Sequence, residues 1–379
     1  MRFFTLLFLT LLFLSIPNTG YTQSLGDDVQ KIAEEKEAEQ NRNPFDLPPY
    51  NTGDITVFGE VKNYTVGEED TFHDIARHFE LGFVELRAAN QGIDAWAPIP
   101  GSEIVLPSLH LLPRAPQDGI IINLAEMRWY YFKPGNKVPV TFPIGIGREG
   151  LDTPVGRTTV VRKAAGPSWR PTKRMKEENP ALPDVVPSGP SNPLGSHALY
   201  LGWPEYLMHG TNKPYGIGRR VSSGCIRMLP ENITKVFEMV PVGTPVTVVD
   251  QPVKAAMVGN DLYLEVNPTG KDLGDIELLG HFDKEELPED MVTVPDGLKA
   301  LLNSAIGDKD VNIDWDLVEM AYIEKKSYPV KVGTIPADIS EDLNAAVSEQ
   351  PQQQKELNEE EEQTQEQRLK FKNEYRTNR

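Results

Sequence analysis

Residues 119–132, GIIINLAEMRWYYF, have the pattern of a β-hairpin, with an apolar first arm and aromatic residues alternating along the second. Short strand-like runs follow at close intervals, and glycine or proline turns separate them. These runs are VPVTFPIGIG (138–147), TPVGRTTVVRKA (153–164), HALYLGW (197–203), EYLMHG (205–210) and GTPVTVVD (243–250). Because helical periodicity is weak among them, they predict a mainly β, sandwich-like domain over residues 117–250.

The region before this domain contains a compact unit at residues 61–109. YTV (64–66) predicts a strand, apolar residues at helical spacing predict two helices, and SEIVLP (102–107) predicts a closing strand. The chain is therefore expected to be multidomain, with a small βααβ module ahead of the β domain. His73 and His78 of the first predicted helix are expected at the surface, because no other ligand types converge on them to form a metal site.

The two ends of the chain have the composition of segments outside packed domains. Residues 1–23 predict a secretory signal peptide, since their apolar run (3–14) is shorter than the roughly 20 residues of a membrane-spanning helix. A membrane anchor is the weaker interpretation, so an exported protein is expected. Residues 24–60 are polar and proline-rich, which indicates a linker. Residues 251–339 predict an accessory region with strand-like pieces, and 340–379 an acidic tail, disordered or helical.

The charge and the cysteine content restrict the possible functions. Fifty-six acidic against 38 basic residues give a formal net charge of −18, which argues against a nucleic-acid partner. Cys225 is the single cysteine of the 379 residues. In an oxidising compartment thiols normally pair, so a lone thiol is buried and inert, bonded to another chain, or retained for its reactivity.

The segment around this thiol, HGTNKPYGIGRRVSSGCIRM (209–228), contains the groups that nucleophilic thiol chemistry requires. Such chemistry needs a base, a group that orients the base, and donors for an oxyanion. His209 ends a strand-like run, and Gly224 allows the backbone beside Cys225 to approach a carbonyl closely. Arginines at 219, 220 and 227 add positive charge, which lowers the pKa of a thiol. The alternative is a buried core cysteine and an ordinary strand histidine.

HGTN, IG and VSSGCIRM in this segment closely resemble the active-site signature of the L,D-transpeptidase catalytic domain, the YkuD family. Further similar blocks are NLAEMRWYYF, PIGIGREG, TPVG (153–156) and NPLGSHAL (192–199). The module at 61–109 resembles a LysM module, which binds the N-acetyl sugars of glycan strands, although Glu69 stands where that family usually has glycine. The combination is most similar to the enterobacterial-type enzymes that attach the outer-membrane (Braun) lipoprotein to peptidoglycan.

The resemblance implies roles for individual residues, and it implies neither a metal nor another cofactor. Cys225 would be the nucleophile, His209 its base, Gly210 the residue whose carbonyl orients the imidazole, and Gly224 part of the oxyanion site. The residues expected to bind substrate or to shape its groove are Arg227, Ser222, Ser223, Asn212 and His197. Ser223 stands where the family often has a second histidine, which leaves His209 as the general base. His197 is equally compatible with an ordinary strand histidine.

The implied reaction is an acyl transfer in the periplasm. Cys225 would form a thioester with the third stem residue of a peptidoglycan tetrapeptide, release D-alanine, and pass the acyl group to an amine. The expected acceptor is a lysine of an outer-membrane lipoprotein. The alternatives are a second stem peptide, giving a cross-link, or water, giving carboxypeptidase or amidase action. A long proline-rich insertion at residues 166–195 is expected to exclude water. A non-catalytic peptidoglycan-binding protein is the alternative of another class.

Overall fold

The computed structural model describes residues 56–136, 138–282 and 294–336. The predicted signal peptide, most of the predicted linker and the predicted acidic tail lie outside these residues. The strands are, in chain order, β1 (Val57–Phe58), β2 (Val61–Thr65), β3 (Glu103–Pro107), β4 (His110–Leu111), β5 (Ile120–Asn123), β6 (Arg128–Tyr131), β7 (Val140–Pro143), β8 (Ile146–Gly147), β9 (Gly156–Ala165), β10 (His197–Leu201), β11 (Leu207–His209), β12 (Arg220–Ser222), β13 (Ile226–Arg227), β14 (Pro245–Val249), β15 (Val253–Val258), β16 (Asp261–Val266), β17 (Asn312–Ile313) and β18 (Val330–Thr334).

Among the described residues, the helices are fewer than the strands. They are α1 (Phe72–His78), α2 (Phe83–Ala89), α3 (Lys173–Glu178), α4 (Pro230–Met239), α5 (Gly270–Leu278), α6 (Asp296–Ile306) and α7 (Trp315–Glu324), with a 3₁₀ turn at Pro214–Gly216. Within the described ranges, every helix lacks the length and apolar content needed to cross a bilayer.

The predicted hairpin is confirmed, since β5 and β6 pair antiparallel with Ile121 opposite Tyr130. Both strands belong to a mixed eight-stranded sheet in the order β13-β11-β10-β9-β14-β5-β6-β7. The long strand β9 pairs with β14 through residues 156–159 and with β10 through residues 160–165. β9 therefore joins two halves of the sheet, and its second half leads to the strands that flank His209 and Cys225.

An apolar core lies against one face of this sheet. Alternate residues of the strands enter it, and helix α4 contributes Ile233 and Val236 to the same core. The strand residues include Ile120, Ile122, Trp129, Leu199, Met208 and Ile226. Each fully buried side chain of this size contributes about 1.5–3 kcal/mol to stability. Because side chains alternate across a strand, the intervening residues of β10, β11 and β13 project from the opposite, outward face.

Residues 61–107 have the order strand, helix, helix, strand. β2 pairs antiparallel with β3, placing Tyr64 opposite Ile104, and α1 and α2 come between them in the chain. Apolar residues of this module, such as Phe83, belong to the same core as the β domain. Arg77 of α1 also lies 2.8 Å from Glu231 at the start of α4. The module is therefore packed directly against the β domain.

The region after the β domain has its own sheet, in the order β15-β16-β18-β17. Helices α6 and α7 supply Leu298, Leu302 and Val318 to a separate core beneath it. The strand-like pieces DLYLEVN and SYPVKVG of the sequence contain all of β16 and most of β18. Helix α5 instead contributes Leu273 and Ile276 to the core that the module shares with the β domain.

Candidate active site

His209, the last residue of β11, is buried and held by its own neighbour. Its Nδ1 lies 2.5 Å from the carbonyl oxygen of Gly210, the contact expected for Gly210. Because a carbonyl oxygen only accepts, Nδ1 carries the proton and Nε2 keeps its lone pair. Burial lowers the pKa of His209 to about 4. The hydrogen bond to Gly210 opposes this shift, and the charge of Arg227 adds to it. The ring is therefore a neutral base at pH 7.

Cys225 immediately precedes β13, the strand that pairs with β11. β11 and β13 pair in parallel with His209 opposite Arg227, and Cys225 stands two residues before Arg227. The side chain of Cys225 packs against Leu207 and Ala198, which lie on the outward face of this half of the sheet. The charge of Arg227 acts on the pKa of both His209 and Cys225. The sheet register therefore brings the predicted nucleophile, base and arginine together.

The Cys225 thiol is protonated at neutral pH. Its Sγ–H donates to the carbonyl of Glu205 over 3.5 Å. Burial raises the pKa of the thiol, and a backbone hydrogen bond from Leu207 and the Arg227 charge oppose that shift without cancelling it. The charge of Arg227 lowers the pKa of the thiol as expected, but burial outweighs it and the net shift is upward. The site contains a neutral thiol beside a neutral imidazole.

The turn before Cys225 is held by Ser222 and Gly224. The buried Ser222 hydroxyl donates to the Cys225 carbonyl at 2.6 Å and accepts from the Gly224 amide at 3.2 Å. Gly224 has φ of +104°, and a Cβ there would lie 3.0 Å from the Tyr206 ring. Ser222 thus shapes the turn, which corrects its predicted contact with substrate. Since Ser222 engages the Gly224 amide, the Cys225 amide is the better candidate for an oxyanion donor.

Arg227 and Asn212 line one groove, as their predicted substrate roles require. The groove has a volume of about 310 Å³ and lies between the insertion and residues 211–213. The Asn212 side chain donates to the Ser191 carbonyl at 3.0 Å, which ties the two walls together. Apolar side chains of the insertion, among them Trp169, form the other wall. Ser223 is partly exposed next to Cys225.

His197 lies on the face of β10 opposite to the site. The next residue, Ala198, pairs with His209 and shares its face, so the His197 side chain projects towards helix α4. There its ring centroid lies 4.5 Å from that of Phe237. The predicted substrate contact of His197 is therefore wrong, and the strand-histidine alternative is the one observed.

The insertion at residues 166–195 covers the outward face. Trp169 belongs to the same small apolar cluster as Cys225. Trp169 also pairs with Val186, with backbone distances of 2.9 and 2.8 Å. Asn192 is fully buried, and its side-chain amide donates to the carbonyl of Pro167 at 2.7 Å. These bonds hold the insertion together next to the small apolar cluster that Cys225 also contacts.

Two further residues at the site were not predicted from the sequence. Thr153 donates from its hydroxyl to the Gly224 carbonyl at 2.8 Å. Burial, and then the nearness of Cys225, raise the pKa of Tyr206. Thr153 belongs to the TPVG block, which could have identified it. Tyr206 has no motif of its own, and only the fold places its ring beside the turn at Gly224.

Among the described residues, a group able to hold a metal ion lies away from the thiol. Ligand atoms of His110, Glu126 and Glu265 lie within 4.8 Å of one another. The Lys254 ammonium stands among them, 2.7 Å from each carboxylate and 2.6 Å from the Leu111 carbonyl. This donor set therefore fits a buried lysine, which already supplies the positive charge that a metal ion would bring.

The two histidines of helix α1 differ in exposure. His78 is exposed, as predicted. His73 is only partly exposed and stacks on Phe83, with ring centroids 4.1 Å apart. His73 therefore lies at the surface only in part.

Comparison with known proteins assigns the family. The profile of the YkuD family, described as the L,D-transpeptidase catalytic domain, matches residues 117–248. The Escherichia coli protein named "Probable L,D-transpeptidase YbiS" is 39% identical over 293 residues, which are 75% of this chain and 91% of YbiS. The chain belongs to the YkuD family of L,D-transpeptidases.

Two more Escherichia coli proteins are similar to this L,D-transpeptidase. "Probable L,D-transpeptidase YcfS" is 42% identical over 231 residues, 59% of this chain and 71% of YcfS. "Probable L,D-transpeptidase ErfK/SrfK" is 41% identical over 217 residues, 55% of this chain and 69% of that protein. The predicted family, its mainly β catalytic domain and the classification as an enzyme are thereby confirmed. Peptidoglycan is the substrate class of this family.

Proposed function

We propose that this enzyme is a periplasmic cysteine L,D-transpeptidase that joins peptidoglycan to a lysine of an outer-membrane lipoprotein. The observation that supports the chemistry is the 2.5 Å contact between His209 Nδ1 and the Gly210 carbonyl. It leaves Nε2 as a proton acceptor on the strand next to Cys225.

The first step forms a thioester. The Cys225 sulfur attacks the carbonyl carbon of the third stem residue while His209 takes the thiol proton. The bond to the D-alanine nitrogen then breaks, and His209 gives the proton to the departing amine. Because both groups start neutral, the proton moves as the sulfur attacks, and no charged pair has to be maintained in the buried site.

The second step transfers the acyl group to an amine. The amine nitrogen attacks the thioester carbonyl, His209 accepts a proton from that nitrogen, and the carbon–sulfur bond breaks. The sulfur recovers the proton as the thiol forms again. An exposed thioester would also react with water, so a covered site favours the amine. The packing of Trp169 in one cluster with Cys225 supports the proposal that the insertion excludes water.

The module at residues 61–107 is proposed to bind glycan strands as a LysM-like unit. Its strand, helix, helix, strand order and the antiparallel pairing of β2 with β3 support this assignment. Export to the periplasm is proposed from the signal-like composition of residues 1–23. The lipoprotein acceptor is proposed from the resemblance to the enterobacterial-type enzymes.

The acceptor can be tested directly. The full chain is incubated with tetrapeptide muropeptides and a lysine-ended lipoprotein peptide, and the products are separated and weighed by mass spectrometry. The expected product is the muropeptide joined to the peptide lysine, with one D-alanine released for each adduct. Cys225→Ala serves as the control and is expected to give no product.

Other products would contradict parts of the proposal. A dimer linked between third residues would identify a cross-linking enzyme. A tripeptide muropeptide without adduct would identify a hydrolase. Absence of D-alanine release by the wild-type chain would refute the thioester mechanism itself.

A further inference from the structure

A group of aromatic side chains lies where the N-terminal module meets the catalytic domain. The His73 ring centroid is 5.1 Å from that of Trp96 in the module and 5.0 Å from that of Tyr215 in the catalytic domain. Trp96 is 61% exposed and Tyr215 is 63% exposed, and their ring planes make angles of 45° and 88° with the His73 ring. We call Trp96, His73 and Tyr215 the aromatic platform.

The platform is held in place from both sides. The Asp94 side chain accepts from the Trp96 amide at 2.8 Å, which fixes the loop of the module. Tyr215 is the middle residue of the 3₁₀ turn that begins at Pro214. The Gly218 carbonyl accepts from the Val84 amide of helix α2 at 3.3 Å, which ties the catalytic segment to the module.

The close contact between the backbone of the catalytic segment and the start of helix α2 requires a glycine at position 218. Its φ is +71°, and a Cβ there would lie 2.2 Å from the Phe83 nitrogen. The platform therefore does not depend on a flexible linkage between the module and the catalytic domain.

The central ring of the platform is uncharged. Burial, and then the charge of Arg219, lower the pKa of His73 to about 4. The guanidinium of Arg219 donates to His73 Nε2 at 3.1 Å, so that nitrogen is an acceptor. Below the rings lies a cavity of about 50 Å³, lined in part by His73, Phe83, Pro214 and Tyr215. Since one water needs roughly 10–15 Å³ of such space, the cavity accepts a small substituent and not a whole ring.

A sugar chain fits this surface better than a charged or a fully apolar partner. Pyranose rings have apolar C–H faces and polar edges, and aromatic rings with polar edges pack against such faces. The substrate class of the family also supplies a sugar chain, because peptidoglycan stem peptides are attached to glycan strands. Tyr215 lies in the segment that joins His209 to Cys225 and stands two residues after Lys213, which lines the groove that Arg227 and Asn212 share.

We infer that Trp96, His73 and Tyr215 form one saccharide-binding platform for the neutral N-acetylated glycan strand, shared between the module and the catalytic segment. The inference rests on the proposed function of the module and extends it, since it assigns Tyr215 of the catalytic domain to glycan binding. The acetamido group is the substituent of a size that suits the cavity.

The test measures binding of the full chain to oligosaccharides of N-acetylglucosamine, which are neutral and carry no stem peptide. Isothermal titration calorimetry compares the wild type with Tyr215→Ala and with Trp96→Ala. Each substitution is expected to weaken the affinity roughly two- to tenfold, the effect of one lost aromatic contact. Tyr215→Phe, which keeps the ring face, is expected to bind more tightly than Tyr215→Ala and close to the wild type.

Trp315→Ala is the matched control, because Trp315 is an exposed tryptophan at the start of helix α7 and outside the platform. It is expected to bind as the wild type does. Thermal unfolding of each variant checks that the fold is kept, and the 63% exposure of Tyr215 predicts that it is.

Two results would overturn the inference. Wild-type affinity in Tyr215→Ala would show that the catalytic segment takes no part in binding. An equal loss in Trp315→Ala would show that the losses are not specific to the platform. Release of D-alanine from a free tetrapeptide by the wild-type chain is measured in parallel. Absence of this release would refute the proposed transpeptidase function and would leave the saccharide-binding inference unaffected.

Discussion

The proposed catalytic pair of His209 and the partly buried Cys225 differs from the buried cluster of Glu126, Lys254 and Glu265 in how burial affects the charges. At the catalytic pair, burial lowers the pKa of His209 to about 4 and raises that of Cys225, so both groups are neutral. At the Lys254 cluster, burial lowers the pKa of Lys254, but Glu126 and Glu265 outweigh it and the pKa is raised. The ammonium therefore keeps its charge.

The difference comes from how fully each group is bonded. The Lys254 ammonium has three acceptors between 2.6 and 2.7 Å, one for each of its hydrogens. The Cys225 thiol has a long contact of 3.5 Å with a carbonyl, and His209 Nε2 is left as an acceptor. A buried charged group is stabilised when each of its hydrogens is hydrogen-bonded, and it then has no free donor for a reaction. Incomplete bonding leaves the thiol and the imidazole able to exchange a proton with substrate.

The largest expected effect distinguishes His209 of β11 from His197 of the neighbouring strand β10, which lie on opposite faces of the sheet. His209→Asn removes the base and should lower the rate of D-alanine release from tetrapeptide roughly 10²–10⁴-fold. His197→Asn changes a ring that packs on Phe237 behind the sheet, so its rate should stay close to that of the wild type. A comparable loss in both variants would contradict the assignment of His197 to the far side. Chromatographic assay of D-alanine gives both rates.

The second prediction concerns stability and not activity. Lys254→Met removes the cation between two buried carboxylates and should lower the free energy of unfolding by about 3–5 kcal/mol. Lys331→Met is the control, because Lys331 forms a half-exposed pair with Asp261 and should cost about 1 kcal/mol or less. Urea unfolding followed by circular dichroism measures both values. If Lys254→Met were as mild as Lys331→Met, the cluster would have no structural role.

The third prediction tests the neutral state of the catalytic pair by its pH dependence. A raised pKa means that Cys225 is still protonated at pH 7, so its alkylation by iodoacetamide should accelerate about tenfold per pH unit from pH 7 towards 9. In protein unfolded by urea, the rate should level off at a lower pH than in the native chain. A plateau of the native rate near pH 6 would instead reveal a thiolate–imidazolium pair and contradict the expected state.

The smallest expected effect concerns Trp169, in the insertion that is proposed to exclude water from the site. Trp169→Ala should open the cluster around Cys225 to water and raise the ratio of hydrolysis to transfer by about tenfold or less, equivalent to roughly 1.4 kcal/mol. Trp169→Phe keeps an aromatic cover and should preserve more of the transfer. Mass spectrometry of tripeptide and adduct gives the ratio. An unchanged ratio in Trp169→Ala would show that the insertion does not exclude water through this residue.

Much of the site could be recognised from local patterns. The two short apolar and aromatic runs in GIIINLAEMRWYYF predict the β5–β6 hairpin, because such runs are visible within a few residues. The segment from His209 to Met228 contains Cys225, the base and the orienting Gly210 within twenty residues. Such motifs are readable because the groups that act together are close in the chain.

Other features depend on contacts between distant residues, and these were decided only when the chain folded. The register of β10 with β11 places His197 behind the sheet, although it stands in a matching sequence block. Burial outweighs the effect of the Arg227 charge on the Cys225 pKa, which is raised. Lys254 meets Glu126 across 128 positions, and Tyr215 meets His73 across the border of two domains. A motif records which groups are present, while strand pairing and burial determine which of them face one another and which charge each one has.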